Sequence, residues 1–330
     1  MKSVTKLMMS GTPLLVVGGL LAAGLFIKPK PVGASVGKPI FERGDSFYGM
    51  ALPSGAAIWA AGSDGKVVRS DDAGASWKLQ PTPVLTTLQD IAAWDTQRAV
   101  AVGNGGAVIV TGDGGLTWRA ADVPRSSIAN KLVRVKTLAD GTAWAVGEGG
   151  MVLRSIGFGA QWSRAAEEED AAWNDICFAD GQGWLVGEFG RMKTSNDNGA
   201  TWRSVDSPVK ASLMAVTFSD KLHGVAVGLA GVILVTQDGG RRWTAPPPAT
   251  TEHLFDVSWD GARWMAAGDN GVVLTASASA AEWRPAPPVT QGHAWHTAIK
   301  QRDGKFYLSG AALTLPARDA KSPVPLTPHN

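Results

Sequence analysis

Cysteine is almost missing from this chain: Cys177 is the only one in 330 residues, which excludes an intrachain disulfide and any Cys-x-x-Cys redox or zinc pair. Its expected place is as a small core residue. Charge of one sign is missing too. A net charge of +2 offers no strongly basic face, so nothing argues for nucleic acid as a partner. Tyrosine is down to Tyr48 and Tyr307. No His-Glu-x-x-His and no Gly-x-x-x-x-Gly-Lys segment occurs, which removes the usual sequence evidence for a zinc protease or a P-loop nucleotide site. His293 and His296 stand three apart, a spacing that puts them on opposite faces of a strand and not on one metal. No cofactor or metal site is expected.

Glycine and tryptophan are abundant instead, at 40 and 14 residues, a mixture that suits short strands joined by tight turns. One long apolar run lies at the amino end. Leu7 to Ile27 follows Lys2 and Lys6, and its length of 21 residues matches the roughly 20 needed to cross a bilayer as a helix. Residues 1–34 are therefore expected to be a hydrophobic helix acting as a membrane anchor or a signal peptide, with Val32-Gly33-Ala34 as a small-residue cleavage site. Positive charge before the run favours an inside amino terminus, so the body is expected outside the cytoplasm, in the periplasm or cell envelope.

The body repeats. Trp77, Trp118, Trp162, Trp202, Trp243 and Trp283 follow one another at steps of 41, 44, 40, 41 and 40 residues. Gly62, Gly103, Gly147, Gly187, Gly228, Gly268 and Gly310 keep nearly the same step. Each unit holds four short apolar or alternating runs, as in LQDIAAWD, RAVAVGN, GAVIVTGD and LTWRA between residues 88 and 120. Four strands in some 40 residues make a propeller blade. Six units end in the repeated Trp, and a seventh runs from His293 to Thr314 without one. The expectation is a seven-bladed β-propeller of four-stranded blades over residues 35–314. Its last blade would be completed by the N-terminal piece Lys38–Arg43, which leaves no open edge. Residues 315–330, rich in proline, are expected to form a disordered tail.

The segment TGDGGLTW, residues 111–118, recurs as SDDAGASW at 70–77 and SNDNGATW at 195–202. TQDGGRRW at 236–243 lacks only the second hydroxyl. The pattern falls between the third and fourth strand of a blade. Asp72, Asp113, Asp197 and Asp238 are expected to accept bonds from backbone N–H groups just ahead of them. The glycine two residues on supplies positive φ, and Trp77, Trp118, Trp202 and Trp243 pack between sheets. The role is structural: the spacing fits neither a P-loop nor an EF-hand.

This pattern resembles the Asp-box, or BNR, repeat. The wider unit, Val102 to Thr111 before one box and Val186-Gly-Glu-Phe-Gly190 before another, resembles the photosystem II stability/assembly factor family of BNR-like propellers over about residues 45 to 314. The resemblance implies a non-enzymatic protein that helps a membrane complex assemble. Sialidases carry Asp boxes too, so a sialidase-like glycoside hydrolase or glycan-binding propeller is the competing reading. It would need a Tyr–Glu pair and an arginine cluster, and the Phe41-Glu-Arg43 segment does not match that enzyme class's Phe/Tyr-Arg-Ile-Pro signature.

A binding face is expected opposite the Asp boxes, where the turns between second and third strands lie beside the links between blades. The side chains there vary: Asp64, Asn104, Glu148, Glu188, Phe189, Leu229 and Asp269, with Arg191 close by. Regular turns with variable side chains suit recognition on a fixed scaffold. The acidic run Glu167–Asp170 sits in the link between the third and fourth units, with Arg125 and Arg164 able to balance it. The expected protein is a monomeric propeller that binds a membrane protein or complex and contacts the membrane through its N-terminal segment.

Overall fold

The second strands of the blades are apolar from end to end because each is covered on both faces by the neighbouring blades. Ile58–Gly62, Ala99–Gly103, Ala143–Gly147 and Gly224–Gly228 are buried at every residue. A computed structural model describes residues 39–286, 293–316 and 324–326, and within them the chain forms seven antiparallel sheets in sequence order. The first strands are Phe47–Ala51, Leu88–Ala93, Leu132–Thr137, Trp173–Ala179, Leu213–Phe218, Leu254–Trp259 and His296–Arg302. Each packs against the first strand of the next blade, and the seventh packs against the first, which closes the ring. Six sheets have four strands. In blade 5 the fourth position is a single bridge, Val235 to Thr244.

The repeated glycine has a steric cause. Every first strand carries an extra residue near its start, seen as a register slip in all seven blades. The slip presses the end of the second strand onto the carbonyl before the first: a Cβ on Gly103 would lie 2.2 Å from the Thr87 oxygen, and one on Gly268 1.8 Å from that of His253. No side chain fits there, so the glycine recurs with the blade.

Two expectations about the ends are corrected. The fourth strand of blade 7 is Val324–Leu326, paired with Leu313–Leu315, and not the N-terminal piece. The tail assigned to 315–330 therefore holds strand residues. Proline hid this strand, but Pro325 lies on an outermost strand, where a missing N–H is tolerated. The N-terminal piece instead makes a turn. Glu42 N donates to Asp45 Oδ2 at 2.6 Å, and Asp45 N to the Glu42 carbonyl at 3.1 Å. Lys66 clamps the turn through ion pairs of 2.5 Å to Asp45 and 3.1 Å to Glu42. Phe41 then meets Phe47 and Trp77 edge-on. The expected anchor helix of residues 1–34 lies outside the described residues. No helix among those described is long and apolar enough to cross a membrane. Cys177 is half-buried, and burial pushes its thiol up to about 11.

Candidate functional site

The Asp boxes are fasteners. In blade 2 the Thr111 hydroxyl donates to Asp113 Oδ1 at 2.8 Å and accepts from Gly115 N at 2.9 Å. Asp113 accepts from Thr117 N at 3.0 Å and from the Thr117 hydroxyl at 2.5 Å. Asp72 and Asp197 repeat the arrangement. Asp238 keeps the Thr236 hydroxyl at 3.0 Å and the Arg242 amide at 2.9 Å, and loses only the second hydroxyl, where Arg242 stands. Hydroxyl and backbone donors hold the carboxyls of Asp72, Asp113 and Asp197 down at about 2. The fastened tryptophan packs against the previous blade, as Trp118 meets Trp59 edge-on at 5.6 Å and Trp202 meets Trp144 at 6.3 Å. Blade 6 lacks the acid and keeps only a Ser277–Ser279 hydroxyl contact of 3.1 Å.

The ring axis is built from charge. Asp90, Arg134, Asp175 and Asp256 hold one equivalent position, just past the slip, in the first strands of blades 2, 3, 4 and 6. The three carboxylates stitch neighbouring blades by accepting from Val135 N, Val216 N and Ile299 N at 2.9–3.0 Å. Arg134 crosses the axis to the Phe255 carbonyl, 3.2 Å away in blade 6, and lies 3.5 Å from Asp175. Lys136 and Lys300 stand two residues further along their strands, 3.4 Å from Asp175 and 2.8 Å from Asp256. Burial pushes the Asp90 carboxyl up against the pull of Arg134. At Asp256 burial acts the same way, but Lys300 and Arg134 overcome it and hold the carboxyl at about 2. For Arg134, burial is outweighed by Asp175, Asp256 and Asp90, so the guanidinium stays charged. Three acids and three bases thus balance on the axis, with Arg134 spanning it.

The first strands begin on the face that carries the links, so their bulged residues ring that mouth of the axis. Tyr48 stacks on Trp295 with centroids 5.6 Å apart. Thr297 donates to the Tyr48 carbonyl at 2.8 Å, and Gln89 to Asn104 at 2.9 Å.

The turns between second and third strands do lie against the links: a Cβ on Gly65 would sit 2.0 Å from the Val84 carbonyl, and Gly150 N donates to Ala171 O at 2.7 Å. The turn candidates divide. Asp64, Asn104, Leu229 and Asp269 remain apart, one to a blade. Glu148, Glu188 and Phe189 come together in a groove of about 690 Å³ between blades 3 and 4. Glu168, Glu169 and Asp170 of the link complete its acidic wall. The Glu188 carboxylate accepts from Ala172 N at 2.8 Å, which fixes its place. Phe189 sits at the turn apex with φ 57° and is 68% exposed, so it does not pack against the next blade. Arg191 does not line the groove: with Lys193 it pairs with Glu169 and covers the Trp173 ring. Arg164 pairs with Glu168 at 2.8 Å, while Arg125 turns to the Gly105 carbonyl.

Ile128, 83% exposed at the other rim, was missed by the sequence reading. Its loop is stiffened by Ser126 N to Asn130 Oδ1 at 2.8 Å and Asn130 Nδ2 to Ser126 O at 2.6 Å. A signal was present, because the link carrying it runs over eleven residues, 121 to 131, against eight, 165 to 172, in the next. No group of three or more His, Cys, Asp or Glu among the described residues is arranged to hold a metal.

Comparisons with known proteins agree with the propeller fold. Residues 199–287 match the family model of photosynthesis system II assembly factor YCF48. A solved structure of YCF48 bound to D1 peptide shares 16% identity at a TM-score of 0.67, covering 81% of this chain and 91% of that one. YCF48 from Cyanidioschyzon merolae shares 14% at 0.67, covering 81% and 93%. A computationally designed protein, Ika8, shares 11% at 0.59, covering 82% and 94%. No curated protein matches at the level of sequence. By fold the chain is a seven-bladed β-propeller, and its residues 199–287 are similar to the photosynthesis system II assembly factor family.

Proposed function

We propose that the protein is a non-enzymatic, exported or membrane-tethered propeller that binds a segment of a membrane protein and helps its complex assemble or work. The observation that carries this reading is the link face between blades 3 and 4, where Phe189 and Ile128 stand exposed on stiff supports over a groove. Exposed large apolar side chains around a recess mark a contact surface. The similarity to YCF48, which has been solved with a bound D1 peptide, supports a polypeptide as the ligand class. The axis groups support the absence of chemistry: the carboxylates that would attract a catalytic reading are occupied by backbone amides and paired cations. The apolar N-terminal run supports tethering or export.

Site-specific photo-crosslinking tests this. A photoreactive residue at position 189 of the full chain, expressed in its own cells, is expected to capture one membrane protein reproducibly. The same residue at Leu116, 77% exposed on the Asp-box face, is expected not to capture it. Equal capture from both positions, or none from position 189, would overturn the reading. Sequencing the amino terminus of the mature protein decides between anchor and cleaved signal.

A further inference from the structure

The groove between blades 3 and 4 also carries a charge signature, and from it we infer that the ligand is a basic, apolar polypeptide segment: lysine or arginine side chains alternating with large aliphatic ones. The inference rests on the protein-binding reading above and adds the chemistry of the bound segment. Five carboxylates line this groove, from Glu148, Glu168, Glu169, Asp170 and Glu188, and no lysine or arginine does. Glu169 and Glu168 are already paired, to Arg191 with Lys193 and to Arg164. Glu148, Asp170 and Glu188 have no cationic partner among the described residues. Asp170 is exposed on the link.

The adjoining groove on the same seam differs. It is lined by Arg154, Arg164 and Lys193 against Glu167, Glu169 and Asp197, so its charges cancel. The uncompensated negative charge therefore belongs to the link-face groove, where the apolar anchors also stand. Clefts lined by one sign of charge concentrate ligands of the other sign, and apolar side chains at the rim give the contact its affinity. An acidic or purely polar segment would meet repulsion from the wall or leave Phe189 and Ile128 uncovered. The stiffness of both anchors lowers the ordering cost of binding.

Fluorescence anisotropy on the purified full chain tests this with a labelled twelve-residue lysine–leucine peptide. A glutamate–leucine peptide and a lysine–serine peptide of matched length serve as controls. The lysine–leucine peptide is expected to bind at least tenfold more tightly than either control and to weaken severalfold as salt is raised from low to physiological strength. Asp170→Lys and Phe189→Ser, both on exposed side chains and checked for native circular dichroism, are each expected to weaken it at least fivefold. Equal binding of the three peptides, or unchanged affinity in both variants, would overturn the inference. The two proposals fail separately. Crosslinking that persists in Asp170→Lys leaves protein binding standing and refutes the charge signature. Selective peptide binding without any membrane crosslink does the reverse.

Discussion

Replacing Arg134 with methionine would test whether the charged axis is a structural keystone. Met keeps much of the side-chain length and removes the charge. Three carboxylates would then face only Lys136 and Lys300, whose side chains are each 28% exposed, and the Phe255 carbonyl would lose its donor. Removing one partner of a buried pair typically costs 3–5 kcal/mol, and the two lysines can relax inward, so a loss of about 3 kcal/mol is expected. For a ring of this size that is roughly 6–12 °C in Tm. Urea unfolding followed by tryptophan fluorescence at pH 7.5 and 4.5 is the assay. The sign of the pH effect follows from the carboxyls. Without Arg134 the folded pKa values of Asp90 and Asp256 rise, so the stability they contribute is present below the unfolded value and lost as pH climbs through the folded one. The deficit of the variant should therefore be large at pH 7.5 and smaller at 4.5. Adding Asp175→Asn restores the charge balance and keeps an acceptor for a backbone amide, so the double variant should recover part of the loss. A deficit under about 1 kcal/mol, within reach of an ordinary exposed pair, or one equal at both pH values, would refute the keystone argument.

Thr111→Val keeps the shape of the Asp box but strands the Gly115 amide, so it should cost about 2 kcal/mol in urea unfolding and leave crosslinking at position 189 unchanged. Gly65→Ala should cost roughly 2–4 kcal/mol, since its Cβ would meet the Val84 carbonyl at positive φ, whereas Gly55→Ala, with open space around it, should cost about 1 kcal/mol. Arg302 reaches from blade 7 to the carbonyls of Pro53 and Ala57 at 2.8 and 2.5 Å, so Arg302→Ala should lower stability by about 2 kcal/mol. Hydrogen exchange should then speed up in Phe47–Ala51 and His296–Arg302 before it does in blade 4. Burial lowers the His296 imidazole from its ordinary 6.5 to about 4, so stability present above 6.5 should fall as pH drops through 4, and His296→Leu should flatten that part of the profile.

The repeat was legible because its constraints are local. Gly103 answers one carbonyl, Asp113 one turn and Trp118 one neighbouring ring, and each recurs where its blade recurs. The closing strand was not legible, because Val324–Leu326 has no local signature. An outermost strand needs neither a buried face nor every N–H, so proline is admitted and the segment reads like a tail. The axis was legible in principle. Leu88-x-Asp90-Ile, Leu132-x-Arg134-Val, Trp173-x-Asp175-Ile and Leu254-x-Asp256-Val place a charge at one step of an otherwise apolar strand. Single charges spaced some 40 residues apart are invisible unless the blades are aligned on one another.

The groove shows why only some of the turn candidates come together. Seven equivalent turns arranged around a ring cannot converge on one another, since the symmetry that builds the scaffold also spreads its side chains apart. Asp64, Asn104, Leu229 and Asp269 are spread in this way. Convergence needs a break in the repeat, and the break here is the longer link before blade 3, which lifts Ile128 to the rim facing Phe189. The acidic link before blade 4 then fills the wall between them. Shortening the first link should therefore test the site more selectively than changing any single turn. Deleting Ser127 to Ala129 removes Ile128 and leaves the strands that flank the link, Arg119–Ala120 and Leu132–Thr137, untouched. The loss of one exposed side chain and of a surface loop should change stability by less than about 1 kcal/mol. Binding of the lysine–leucine peptide should fall at least fivefold while its salt dependence persists, because the carboxylates stay. Unchanged affinity after that deletion would mean that the groove does not depend on the break in the repeat, and that Phe189 with the acidic link is the whole site.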